Sequence, residues 1–238
     1  MRLIARLSIL PLLALVSYVV LLTYPMPLFA YHRNYEQFDV YSDRTIPVEI
    51  EAVLQSVLNN IEQSEFYSST QKFKLFFCSD KWRFHLLSRN PNAGGNVSGV
   101  ISPNVFVRES DIKANRIVPP NGWMYDTENR PLSYFLSHEL THAMQARFDR
   151  FMILKVPRYV MEGYADYIGK SDRFDYQEYR SMLIDDHPYM QEGSPLYNRY
   201  HLYIAHLIDV RGLSIKEIIK SPPKTQMILE DIFRGDSS

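Results

Sequence analysis

The sequence predicts a small α+β domain in which helices cover one face of a strand group, behind an apolar N-terminal segment. Three observations carry this. Periodic apolar stripes come in the order helix, short strands, helices. Hydrophobic residues make up 46% of the 238 and charged residues 22%, a balance that excludes a disordered, collagen-like or multi-span chain. A long uncharged run stands apart at the N-terminus, and setting it aside leaves roughly 205 residues, enough for one sizeable core.

That run extends from Leu7 to Tyr31, most apolar from Leu7 to Leu22, and follows Arg2 and Arg6. As a helix, about 20 such residues cross a hydrocarbon core of about 30 Å, and basic residues ahead of them favour a cytoplasmic N-terminus. Residues 1–31 are therefore expected to act as a transmembrane signal anchor or as a cleaved signal peptide ending near Ala30. Both readings place the remaining chain outside the cytoplasm, anchored in the membrane or secreted. The balance of Lys+Arg 26 against Asp+Glu 27 lacks the basic excess that non-specific nucleic-acid binding needs, so no nucleic acid is expected as a partner. The single cysteine, Cys78, forbids an internal disulfide, and its place after the apolar run Phe73–Phe77 marks it as a buried structural thiol.

Residues 31–45 are polar and aromatic without helical spacing and read as a linker or a first strand, with the main domain spanning 46–238. Pro47 suits a first helical turn, and Ile50, Val53, Leu54, Val57, Leu58 and Ile61 form one continuous stripe. Lys72–Cys78 reads as a strand, and Ser79 or Asp80 as the cap of a short helix to about Ser88. Asn90–Gly99 reads as a turn-rich loop, Val100-Ile101 and Asn104–Arg108 as paired short strands, and Arg116–Arg130 as a long loop. Pro131 opens a helix to about Phe148, and Pro157 opens another that stops at Gly169. A helix from about Leu196 to Arg211 precedes Gly212, and Ser214 with Glu217 predicts a capping box for a last short helix before Pro222-Pro223.

The helix opened by Pro131 carries His138-Glu139-Leu140-Thr141-His142. Four residues make a little over one helical turn, so both imidazoles leave the same face and can share one ion. Leu136, Leu140 and Ala143 fall on the opposite side and can pack into the core. Chance placement of this chain's 7 histidines and its glutamates gives the pattern about once in a hundred such chains. A catalytic zinc takes three protein ligands and keeps one position open. Glu162, 20 residues beyond His142 on the next helix, is the candidate third ligand, because the short connection Asp149–Val156 lets the two helices lie together. Asp166, one turn on, is placed to accept the outer N–H of a ligand histidine and fix its tautomer. Gly163 and Ala165 would permit close approach of the two helices.

The segments Ser137–Gln145 and Met161–Tyr167 resemble the active-site signature of the gluzincins, the thermolysin-like metallopeptidases, and most closely the compact peptidase-MA-like domains. The resemblance spans about residues 46–220, with only the two metal helices specific. It implies a zincin-like fold with a small mixed sheet, an edge strand that pairs with a peptide or protein substrate, and an active-site helix pair. It also implies Zn2+ bound by His138, His142 and Glu162, with Glu139 as general base. Tyr197 matches the tyrosine that begins the closing helix in similar domains and is the candidate oxyanion donor. The Gly-x-Met-Glu-Asn strand of aminopeptidases in this group is missing, so exopeptidase specificity is not implied. Two other readings of the same residues stay open: an inactive zincin-fold binding module, and a zinc hydrolase acting on something other than peptides.

Overall fold

The computed structural model describes residues 2–88, 90–120 and 130–234, with side chains from residue 9 onward. Its N-terminal half runs α1 (Arg2–Thr23), β1 (Tyr31–Tyr35), β2 (Phe38–Ser42), α2 (Ile50–Ile61), β3 (Phe73–Cys78), α3 (Lys81–Ser88), β4 (Gly95–Val97) and β5 (Val105–Arg108). A two-stranded ribbon of β6 (Ser110–Asp111) and β7 (Arg116–Ile117) leads to the helical half. There α4 (Leu132–Phe148), α5 (Met152–Lys155), α6 (Arg158–Lys170), α7 (Tyr176–Ile184), α8 (Asn198–Ala205), α9 (Ile215–Lys220) and α10 (Thr225–Arg234) follow.

The strands β1 to β5 form one mixed sheet in the order β1-β2-β3-β5-β4. The three central strands β2, β3 and β5 are parallel, in register Val40↔Leu75 and Leu75↔Val105, while β1 and β4 pair antiparallel at the two edges. Parallel neighbours need long crossovers, which α2 and the α3–β4 segment supply. Phe38, Val40, Phe73, Leu75, Phe77, Val105 and Val107 face the main core beneath α2 and α4. Phe76, Cys78 and Phe106 face a second cluster closed by Phe84 and Leu87 of α3, by Leu22 of α1 and by Phe29 just before β1. Helices thus cover both faces, not one. The reason is legible in Phe73–Cys78, whose apolar run is that of a strand buried on both sides.

The structure corrects several boundaries. Of the two readings of residues 31–45, the strand is present and the linker is not: Tyr31–Ser42 is a hairpin whose second strand pairs with β3. The partner of β5 is Gly95–Val97, inside the expected loop, because Val100-Ile101 is bent into a turn closed by Ile101 N–H and Ser102 N–H donating to Ser98 O at 2.7 and 2.8 Å. Residues 121–129 of the expected Arg116–Arg130 loop lie outside the described residues. The helix at Pro157 passes Gly169 and ends at Lys170, with Ser171 at φ +49. Gly163 serves a different neighbour from the one expected: an added Cβ would lie 2.5 Å from Tyr200 O of α8, whereas at Gly169 it would meet the Tyr134 ring of α4 at 3.0 Å. The capping box of Ser214 and Glu217 is present, and Cys78 is buried, its thiol pushed up by desolvation.

The end of α1 is seated on the domain. Leu22 is fully buried, the Tyr18 hydroxyl donates to Leu86 O at 2.8 Å, and the Asn104 amide donates to Leu22 O at 2.9 Å. Earlier on α1, Leu10, Leu12 and Leu15 are exposed. Among the described residues no helix is long and apolar enough to cross a membrane.

Candidate metal centre

The centre lies where α4 and α6 pack together under the edge strand β4. On α4, Leu136, Leu140 and Ala143 are fully buried, which fixes the helix rotation and turns His138, Glu139 and His142 toward a cleft of about 700 Å³. Glu162 of α6 enters from the other side. Its Oε2 lies 3.4 Å from His138 Nε2 and 3.5 Å from His142 Nε2, and the three ligand atoms all fall within 4.8 Å of one another. Donors about 2.0–2.1 Å from a tetrahedral zinc stand about 3.3 Å apart, and the two Glu162–histidine separations match that spacing.

The electrostatics point the same way. Burial raises Glu162, but the two histidines outweigh it and hold the carboxylate well below its usual range. Burial lowers His142, yet the Glu162 hydrogen bond and charge, with Glu139 and Gln145, lift it to about 9. The Glu162 carboxylate thus favours positive charge at His142. Gln145, one turn beyond His142, has its Oε1 3.0 Å from His142 Nδ1. With Nδ1 donating to Gln145, Nε2 of the charged ring donates to Glu162, and on loss of that proton Nε2 is the nitrogen left with a lone pair for an ion. His138 Nδ1 is buried and unpartnered among the described residues.

Glu139 is half-buried and lines the cleft. Desolvation raises its pKa, aided by Glu162 and opposed by the two histidines. It is pressed against β4: a Cβ added at Gly95 would stand 2.6 Å from Glu139 Cγ. Tyr197, at the start of α8, stacks on His138 with centroids 5.7 Å apart and planes 11° apart. Its backbone is left-handed, φ +56, and desolvation with the Glu162 charge pushes its phenol up to about 12, against the Arg158 cation beside it.

The chain has no match among protein-family models, curated proteins or solved structures.

His138, Glu139, His142, Glu162 and Tyr197 therefore share one cleft. Asp166 does not take the place expected of it. Fully buried, it accepts from Arg130 Nη2 at 3.3 Å, the Tyr134 hydroxyl, Lys170 Nζ at 2.9 Å and His201 Nδ1 at 2.9 Å, and no hydrogen bond joins it to His138 or His142 among the described residues. The physical reason is competition: Arg130, Tyr134, Lys170 and His201 already occupy the two carboxylate oxygens. Sequence reasoning passed over Gln145 and Arg130. Gln145 had a signal, its i+3 spacing from His142. Arg130 had none, since it reaches the site from the segment before α4.

Proposed function

We propose that the chain is a zinc-dependent peptidase of the gluzincin type, delivered across a membrane by residues 1–31 and either anchored there or released. The convergence of His138, His142 and Glu162 on one point, with Glu139 beside it in an open cleft, is the observation that carries the reading.

His138, His142 and Glu162 would hold the ion. When bound there, zinc supplies Lewis acidity toward a carbonyl and a water whose pKa is about 7. Glu139 accepts a proton from the attacking water and returns it to the leaving amine. Tyr197 stays protonated at neutral pH and donates its hydroxyl proton to the developing oxyanion. The outer edge of β4 borders the same cleft and offers backbone groups to an extended peptide, which would join the sheet as a further strand.

Glu139→Gln tests the assignment, because it keeps the shape of the side chain and removes its proton affinity. Zinc content measured by elemental analysis should match that of the unmodified chain, while hydrolysis of a diverse peptide pool, followed by mass spectrometry of new termini, should fall about 10³ to 10⁴-fold. Equal cleavage by both proteins overturns the mechanism. Zinc bound by both with cleavage by neither overturns the peptidase reading.

A further inference from the structure

We infer that Arg130 and Lys170 are positioning residues that clamp the chain on either side of Tyr197 and so fix its ring against His138; this rests on the reading of Tyr197 as oxyanion donor. On α6, Glu162, Asp166 and Lys170 follow at four-residue spacing and so lie along one side of the helix. The first of them faces the centre. The other two face the turn that carries Tyr197. Arg130 Nη1 donates to Pro195 O at 3.2 Å and Nη2 to Leu196 O at 2.8 Å, the two residues just before Tyr197. Lys170 Nζ donates to Asn198 Oδ1 at 2.6 Å, the residue just after it. Asp166 lies between the two cations and holds both.

Two features separate this from an ordinary buried ion pair. Tyr197 sits at φ +56 and ψ +11, a region that bulky residues rarely occupy and that persists when surrounding bonds fix it. The donors of both cations also reach beyond Asp166: they go to the residues flanking Tyr197, and the Arg130 guanidinium lies 6.0 Å from the Tyr197 ring. The same α6 side thus sets a metal ligand at one end and the tyrosine at the other, coupling their spacing through one rigid helix.

The test uses the full chain with 3-fluorotyrosine at position 197, in the Lys170→Met and Arg130→Lys backgrounds. Arg130→Lys keeps the charge and loses the fork that reaches two carbonyls, and Lys170→Arg serves as the rescue variant. In the unmodified protein the fluorine NMR signal should be one line displaced by the ring current of His138. Lys170→Met and Arg130→Lys should each move it toward the position of an exposed tyrosine, with zinc content retained, and Lys170→Arg should restore it. In peptide hydrolysis both should lower kcat about 10 to 100-fold at nearly constant KM, and adding Tyr197→Phe to either should cost nothing more. An unmoved line in both variants, or losses that add to that of Tyr197→Phe, overturns the inference. The fluorine signal is read without substrate, so a chain that hydrolyses no peptide would sink the peptidase reading and still decide the clamp.

Discussion

Gln145 is fully buried one turn beyond His142, and its carbonyl oxygen is the acceptor available to fix that ring's tautomer. Gln145→Ala should weaken zinc binding about 10 to 100-fold with little loss of fold, as titration with a competing chelator would show. Asp166→Ala should behave in the opposite way. It leaves Arg130 and Lys170 buried without their carboxylate, which costs about 3–5 kcal/mol of stability and is read from denaturant unfolding. If Asp166→Ala weakens zinc binding while Gln145→Ala does not, the roles assigned to the two residues are reversed. At this scale the pair His138 and His142 was legible because helical spacing alone puts the rings together. Asp166 was legible only as a residue on the right helix. Which neighbours meet it depends on Arg130 and His201, brought from 36 residues before it and 35 after, and no local pattern encodes that.

Elements were most legible where periodicity was long. The stripe from Ile50 to Ile61 and the helix after Pro131 both appear where spacing placed them. The strand Gly95–Val97 was not legible, because Gly94-Gly95 carries the ordinary signal of a turn. In the fold those glycines serve close approach: a Cβ at Gly94 would lie 2.6 Å from the Phe135 ring, as one at Gly95 would from Glu139. Likewise α10 follows Pro222-Pro223 with only Ile228 and Ile232 buried, too sparse a stripe to read. The contact between β4 and α4 gives a test of the element as a unit. Gly95→Ala should force the Glu139 side chain to shift or β4 to lift, lowering kcat about 10 to 100-fold while zinc content stays unchanged. Full activity in Gly95→Ala would mean that the proton acceptor is not the group pressed against this strand.

For the whole molecule, the sheet is a buried partition with an apolar cluster on each face, and Arg130, Asp166, Lys170 and His201 gather at the junction of α4, α6 and α8. This placement makes the fold acid-sensitive through His201. Its ring is buried, stacks on Phe174 at 3.6 Å, and donates from Nδ1 to Asp166, whose charge already meets Arg130 and Lys170. Burial is the main cause that depresses the imidazole from 6.5 to about 4, with the Lys170 charge adding to it and Asp166 opposing. Between those values the unfolded chain binds a proton at this residue and the folded chain does not. Stability is therefore complete above pH about 6.5 and falls as the pH drops toward 4, and 2.5 units at about 1.36 kcal/mol each make the loss about 3 kcal/mol. Asp166, held well below its usual range by the Lys170 charge and its hydrogen bonds, extends the loss below pH about 3.8. Urea unfolding of the unmodified chain and of His201→Asn, which keeps an N–H donor but cannot titrate, gives the measurement. The unmodified chain should lose more stability than the variant between pH 7 and 4.5; equal losses would mean that His201 is already charged inside the fold.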